Sequence, residues 1–311
     1  MKSLVIINPK SGDYSTNRFI TDFTIKKPAW LTTDILLLEN KFVEKLIEST
    51  VKDYDSVIIA GGDGTISKIA SIISCNVNPP PFAVIPIGTG NDFSRSSGWF
   101  NVWNNGKFDS FFHYLRDAMI QPIDMWNFNG KKFICYVSMG WDAEVVGLYT
   151  QIKQKFKKIS LNRRTNTLLY IYCALLKLSN FSAKQKRHPL IISDDNHSEN
   201  KKILFNNKQT LIFSNINSYA GGSVLHNFKN ENDGKIDVFY IKNPLEYISF
   251  MLKGKINMHK KMSVLGQWNN LDISGKMYYD MQTDGEWEGE NKEEIFSFKH
   301  SGKINSLIPN I

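Results

Sequence analysis

The chain has 311 residues, 42% of them hydrophobic, enough to bury a large core and to make two domains. It carries 38 Lys and Arg against 30 Asp and Glu, a formal net charge of +8. No apolar run is long enough to span a bilayer; the three cysteines (Cys75, Cys135, Cys173) lack CxxC spacing, and the six histidines lack HExxH or paired ligand spacing, which argues against a disulfide framework and a zinc site.

In chain order, Leu4-Val5-Ile6-Ile7 reads as a first strand and not as a signal peptide, from which a cytoplasmic chain is expected. It runs into Asn8-Pro9-Lys10-Ser11-Gly12, a polar turn with donors and a glycine. Residues 34–38 form the second expected strand, and a helix follows over residues 41–51. Val57-Ile58-Ile59-Ala60 is a short β-branched run, the pattern of a strand covered on both faces. Gly61, Gly62 and Gly64 then permit a close ligand approach that a Cβ would block. Ile66, Ile69, Ala70 and Ile73 follow at helical spacing. Such a strand, turn and helix start gathers free N–H groups and the positive end of a helix dipole at one point, where anions bind. Taken alone, the turn also suits a structural connection that binds nothing. Phe82-Ala83-Val84-Ile85 is the next strand, leading into Gly88-Thr89-Gly90-Asn91-Asp92-Phe93.

Alternating strands and helices predict a parallel α/β domain over residues 1–123, with its ligand beyond the carboxyl ends of the strands. Neither GxxxxGK[ST] nor GxGxxG occurs, which sets aside P-loop NTPases and dinucleotide-binding domains by motif. From Asp124 onward the segments 133–137, 190–192, 210–213, 235–241 and 271–273 are of strand type and predict an all-β domain. The Asn- and Lys-rich stretch 194–208 reads as an exposed hairpin loop.

Residues 151–188 hold ten basic side chains (Lys153, Lys155, Lys157, Lys158, Arg163, Arg164, Lys177, Lys184, Lys186, Arg187) and no acidic one. Interleaved with Phe156, Ile159, Leu161 and the apolar run 168–171, they suggest a surface for anionic phospholipid, so peripheral membrane contact is expected. A solvated helix face fits the stretch equally well. The aromatics follow helical spacing, and no nucleic-acid partner is expected.

NPKSG (8–12), GGDGT (61–65), PIGTGNDFSR (86–95), SMGWDAEV (138–145), YAGGS (219–223), DGKIDV (233–238) and DGE (284–286) occur in that order. This set resembles the diacylglycerol kinase catalytic family, most of all its soluble bacterial lipid kinases. GGDGT alone is shared with NAD kinases and phosphofructokinases. The resemblance implies an α/β nucleotide-binding domain (1–123), a β-sandwich lipid-binding domain (124–295) and a C-terminal segment (296–311) returning to the first domain.

It further implies that ATP and Mg²⁺ are the cofactors and that a lipid hydroxyl is the acceptor, diacylglycerol by default, giving phosphatidic acid. Asn8, Pro9, Lys10, Ser11 and Gly12 would line the ATP site. Gly62, Asp63, Gly64 and Thr65 would cradle its phosphates, with Thr89 contributing from the next strand end and Asp63 acting through the catalytic magnesium. Glu286 would take the proton from the lipid hydroxyl, and Asp284 would position it or the metal. If residues 284–286 are extended, both carboxylates point to one side; a hairpin turn at Asp284-Gly285 is the rival. Asp233, with the carbonyls of Asn230 and Lys235, resembles the family's structural magnesium loop, and a type I′ turn competes there.

The family usually has an acidic residue where Lys68 stands, a reversal of charge beside the phosphate turn that bears on nucleotide affinity. A kinase of a different lipid or of a soluble acceptor, and a non-catalytic nucleotide-binding regulator, remain as rivals. A homodimer is left open.

Overall fold

The computed structural model describes every residue except 13–14, 40, 156–162, 180–186, 195–199, 226–230, 255–262, 276–278 and 292. The chain divides into two compact units, Met1–Ile123 with Lys303–Ile311, and Asp124–Gly302.

In the first unit, β1 (Lys2–Ile7), α1 (Thr16–Lys26), β2 (Thr32–Leu37), α2 (Lys41–Thr50), β3 (Ser56–Gly61), α3 (Asp63–Ile73), β4 (Phe82–Pro86), α4 (Asp92–Ser96) and α5 (Trp99–Arg116) follow one another. Next, β5 (Met119–Phe128) carries the chain out of the unit. The strands run parallel in the order β2-β1-β3-β4, Val5 pairing with both Ile35 and Ile58. All six residues of β3 are buried, as the unbroken β-branched run requires of a strand covered on both faces. Phe19 and Phe23 of α1 pack edge-on against Phe108 and Phe112 of α5, with ring centroids 5.2 Å apart for Phe19–Phe108 and Phe23–Phe112. Such offset geometry suits the quadrupoles of the rings and adds about 1 kcal/mol per pair beyond burial.

The second unit contains β6 (Lys131–Phe133), β7 (Tyr136–Gly140), α6 (Trp141–Lys155), α7 (Arg163–Ser179), β8 (His188–Ser193), β9 (Asn200–Phe205), β10 (Thr210–Ser214), β11 (Ser218–Tyr219) and β12 (Ser223–Val224). It continues with β13 (Ile236–Ile241), α8 (Pro244–Gly254), β14 (Ser263–Trp268), β15 (Asn270–Gly275), β16 (Tyr279–Thr283), β17 (Glu286–Asn291) and most of β18 (Ile295–Ile308). One antiparallel sheet has the order β14-β13-β10-β7-β16-β17. A second antiparallel layer runs β18-β15-β8-β9. Val137, Leu211, Phe213, Val238 and Met281 from the first meet Leu190, Ile192, Leu271, Ile273 and Phe298 from the second in one buried core, which makes the unit a sandwich.

The far end of β18 returns to the first unit. There Ser306 pairs in parallel with Phe82, the Ser306 hydroxyl donates to the Phe82 carbonyl at 3.1 Å, and the Trp99 indole donates to the Leu307 carbonyl at 2.7 Å. The α/β unit, the β unit and the returning tail are those the motifs imply. One local expectation changes: within 194–208, residues 200–205 form strand β9, paired with β8 from His188↔Phe205 to Ser193↔Asn200. Its lysines face solvent while Phe205 is fully buried, so the charged composition marks an edge strand and not a loop.

Candidate active site

Three strand-end turns of the first unit converge on the start of α3. The Asn8 side-chain amide donates to the Thr65 hydroxyl at 2.8 Å, and its oxygen accepts the Lys10 N–H at 3.0 Å. Gly12, at φ +74°, passes so near the β4 exit that a Cβ would lie 1.7 Å from the Ile87 carbonyl oxygen. A Cβ on Gly88 would lie 2.3 Å from Gly62 Cα. The turns 8–12, 61–65 and 87–91 are thus packed backbone to backbone, at a distance only glycine allows. Gly62 is the N-cap of α3 and offers no side-chain cap. The first N–H groups of the helix, which have no intrahelical partner, are therefore available to an anion at its positive end.

Two carboxylates border this cradle. Asp63 Oδ1 accepts the Phe93 N–H at 2.9 Å, and the Oδ2 atoms of Asp63 and Asp92 lie 3.0 and 3.5 Å from where a Cβ of Gly90 would stand. Asp63 is 7% exposed and Asp92 fully buried. Asp92 was not singled out by sequence reasoning; its signal is the Asn91-Asp92 pair that follows the third turn. Asn91 itself is in the left-handed region (φ 57°), donates to the Gly88 carbonyl at 2.7 Å, and has its buried Oδ1 without a hydrogen-bond partner. Thr89 stands exposed at the turn. Lys68 is paired with Glu44 of α2 at 2.7 Å, so its reversed charge is offset by a neighbouring helix.

In the second unit Asp284 (φ 51°) and Gly285 (φ 81°) are the two central residues of the β16–β17 hairpin, flanked by the Thr283↔Glu286 pair. The segment is not extended, and the alternation argument for its two carboxylates does not apply. Positive φ at both positions is the type I′ solution that matches strand twist. The turn does more than reverse the chain. Asp284 Oδ1 accepts the N–H groups of Tyr136 at 2.9 Å and Cys135 at 3.2 Å, and the Asp284 N–H donates to the Tyr136 carbonyl at 2.9 Å. Asp284 is buried and Glu286 exposed. Trp287 packs on Gly147 of α6, where a Cβ would meet its Nε1 at 2.7 Å, and its indole donates to Asp280 at 2.8 Å.

The 233–235 loop is held from a position sequence reasoning missed. Asp124, fully buried, accepts the Gly234 N–H at 2.7 Å through Oδ2 and faces His300 Nε2 at 2.8 Å through Oδ1. Asp233 Oδ1 accepts the Lys235 N–H at 2.9 Å. Asn230 lies outside the described residues. Among those that are described, no group of three or more His, Cys, Asp or Glu could hold a metal ion. A magnesium ion needs less: it keeps several waters and takes one or two carboxylates together with substrate phosphates, which the Asp63 and Asp92 pair fits.

The remaining buried cluster centres on Asp142 of the SMGWDAEV stretch, 1% exposed. Tyr170 of α7 and Tyr247 of α8 donate to Oδ1 at 2.9 and 2.5 Å; Ser138, Gln282 and Tyr219 donate to Oδ2, the first two at 2.7 and 3.2 Å. Burial first, then the neighbouring Asp142 charge, holds all three tyrosine hydroxyls well above their usual value.

The diacylglycerol kinase catalytic domain matches residues 2–128, and the diacylglycerol kinase accessory domain matches residues 132–287. The chain belongs to the diacylglycerol kinase family of lipid kinases, whose catalytic domain implies use of ATP. It is similar to the crystal structure of a diacylglycerol kinase from Bacillus anthracis, with a TM-score of 0.66 at 19% identity, covering 99% of this chain and 97% of that one. It is 24% identical to human diacylglycerol kinase zeta over 247 residues (71% of this chain, 26% of the relative). To mouse diacylglycerol kinase iota it is 24% identical over 269 residues (76% and 25%). The chain thus spans about a quarter of the length of these curated relatives.

Proposed function

We propose that the protein transfers the γ-phosphate of ATP, with Mg²⁺, to a hydroxyl of a membrane lipid, with diacylglycerol as acceptor and phosphatidic acid as product. The observation that carries this reading is the convergence of the 8–12, 61–65 and 87–91 turns on the N-terminus of α3, so close that a Cβ at Gly12 or Gly88 would strike the backbone of the neighbouring turn. The backbone N–H groups of residues 62–65 hold the phosphates there. Asn8 and Thr65 keep the cradle's two walls in register. Magnesium bound with the nucleotide neutralises phosphate charge, and Asp63 and Asp92 are the residues that would hold it. Glu286 accepts the proton of the attacking hydroxyl, and Asp284 fixes the turn that presents it. Phosphoryl transfer asks for little beyond alignment, charge neutralisation and a base within reach.

A lipid acceptor is supported by α7. Its inward face is Asn166, Tyr170, Cys173 and Lys177, bonded or packed within the unit, Lys177 to Glu144 at 3.4 Å. Its outward face is apolar: Leu168, Ile171, Tyr172 and Leu175 are exposed, at the spacing of one helical stripe. The helix lies within the segment 151–188, ten basic residues and no acidic one, whose residues 156–162 and 180–186 fall outside those described. Exposed apolar side chains among cations suit the interface of an anionic bilayer, where each Lys or Arg near the surface contributes about 1 kcal/mol. Among the described residues no helix is long and apolar enough to cross a membrane. The Lys68–Glu44 pair offsets the charge reversal that favours a regulator binding nucleotide without catalysis, which supports the kinase reading.

The deciding experiment is phosphate transfer from γ-labelled ATP with Mg²⁺ to a panel of lipids in anionic mixed micelles, beside Glu286→Ala and Asp63→Ala. Transfer to one lipid class, abolished in both variants, is the expected result and names the acceptor. ATP binding without transfer to any lipid would sink the reading.

A further inference from the structure

We propose that Asp142 is a positioning residue for the turn carrying Asp284 and Glu286, and that it acts through Gln282; the claim rests on the kinase reading above. A carboxylate 1% exposed that takes donors from five side chains is costly to desolvate, and apolar residues of similar volume would commonly give equal stability. Its partners point instead to orientation. Gln282 donates through Nε2 to Asp142 Oδ2 at 3.2 Å and to Ser138 Oγ at 2.8 Å, while its Oε1 accepts the Gly285 N–H at 2.7 Å. An ionised carboxylate only accepts. Asp142 therefore dictates which end of the Gln282 amide faces it, leaving the oxygen for the turn.

A register shift between Met281 and Gln282 interrupts the β16–β17 ladder just before that turn. The hairpin beyond it is pinned at two places: Asp284 to the N–H groups of Cys135 and Tyr136, and Gly285 to Gln282. The second pin leads back to Asp142. A parallel path supports the first, because the Tyr136 ring packs against Tyr219, centroids 4.7 Å apart, and Tyr219 donates to Asp142. Glu286 follows Gly285 directly, so a turn freed at Gly285 lets the base wander while the nucleotide turns of the first unit are untouched.

The test measures kcat and KM for ATP in Gln282→Met, Asp142→Asn, Gln282→Glu and the exchanged pair Asp142→Asn/Gln282→Glu, with amide hydrogen exchange at Gly285 measured in each. Gln282→Met removes the acceptor of Gly285 and leaves Asp142 its other donors, so it serves even where Asp142→Asn does not fold. Each single variant is expected to lose about tenfold or more in kcat with KM for ATP unchanged, and to exchange faster at Gly285. Gln282→Glu sets two carboxylates together, whereas the exchanged pair restores an amide opposite a carboxylate and is expected to recover much of the loss, which a general packing defect would not do. A kcat of Gln282→Met within about twofold of wild type, or an effect confined to KM for ATP, overturns the proposal. If the wild type itself transfers nothing, the kinase reading fails and Gly285 exchange decides: faster exchange in Gln282→Met upholds the positioning role, and unchanged exchange overturns it.

Discussion

The Asn8 side-chain amide donates to the Thr65 hydroxyl at 2.8 Å, joining the turn after β1 to the first turn of α3. If that bond aligns the two walls of a phosphate cradle, Asn8→Ala and Thr65→Val each weaken ATP binding by about tenfold, the worth of one hydrogen bond. Their effects fall short of additivity in the double variant because one interaction is lost twice. Calorimetric titration with a non-hydrolysable ATP analogue measures all three.

Gly88→Ala places a Cβ 2.3 Å from Gly62 Cα, a clash with backbone that no side-chain rotation relieves. The expected cost is about 1–3 kcal/mol of stability, together with loss of nucleotide binding as the two turns are forced apart. Urea denaturation and the same titration test both parts. Normal ATP affinity in a folded Gly88→Ala protein would contradict the cradle.

Asp284 and Glu286 should separate fold from chemistry. Asp284→Ala strips the acceptor from two buried N–H groups and leaves a residue at φ 51° without the local bonding that Asp or Asn supplies, for a loss of about 1–3 kcal/mol or more. Asp284→Asn tolerates the left-handed backbone and keeps an acceptor, so its stability stays near wild type. Glu286→Gln, at an exposed position, moves stability by about 0.5 kcal/mol or less and lowers kcat by about a hundredfold or more. Thermal melts beside transfer rates distinguish the three.

Stability should fall on the alkaline side. Burial, and then its hydrogen bond to Asp34, pushes the Tyr54 hydroxyl from 10.0 up to about 12, and Tyr170, Tyr219 and Tyr247 are held well above 10.0 chiefly by burial. Tyrosines of the unfolded chain ionise near their ordinary value, so the folded state holds the extra protons. The stability these groups contribute is complete below about pH 10 and is lost as pH rises toward and through their folded values. Denaturation midpoints should decline once the pH rises past about 10, and Tyr219→Phe should flatten that decline. A midpoint that does not move would mean these hydroxyls titrate normally.

The outward stripe of α7 predicts a change in membrane partition without a change in fold. Leu168 and Leu175 are 65% and 58% exposed, so Leu168→Glu/Leu175→Glu removes no core packing. Each leucine that inserts contributes about 1.5–3 kcal/mol, and the double variant should bind anionic vesicles at least about a hundredfold more weakly at an unchanged melting temperature. Vesicle sedimentation reads the difference, and equal binding would remove α7 from the membrane face.

Much of the nucleotide unit was legible because its signals are local. The run Val57–Ala60, the three glycines after it and the helical spacing of Ile66, Ile69, Ala70 and Ile73 are short-range requirements of a buried strand, a tight turn and a packed helix. Local patterning misled where two conformations share a composition. The Lys-rich 200–205 segment reads as loop yet pairs as an edge strand, and Asp284-Gly285 suits an extended active-site segment as readily as a hairpin. Helical spacing was legible within the basic segment 151–188, but it could not say that Asn166 and Tyr170 face inward while leucines face out. That inversion depends on a buried carboxylate on another helix.

By itself the sequence determined the four parallel strands of the first unit and the helices that follow the second and third of them, the glycine turns at three strand ends, and a run of seven ordered motifs that marks the family. Each of these rests on residues close together in the chain, where backbone sterics and burial period act directly. Tertiary structure alone decided that Gly12 meets Ile87, that Asp124 braces Gly234, and that Asp142 gathers side chains from as far as Gln282, 140 residues away. A hydrogen bond between such distant residues leaves no spacing to read, because its geometry exists only once the elements that carry the two partners have packed together.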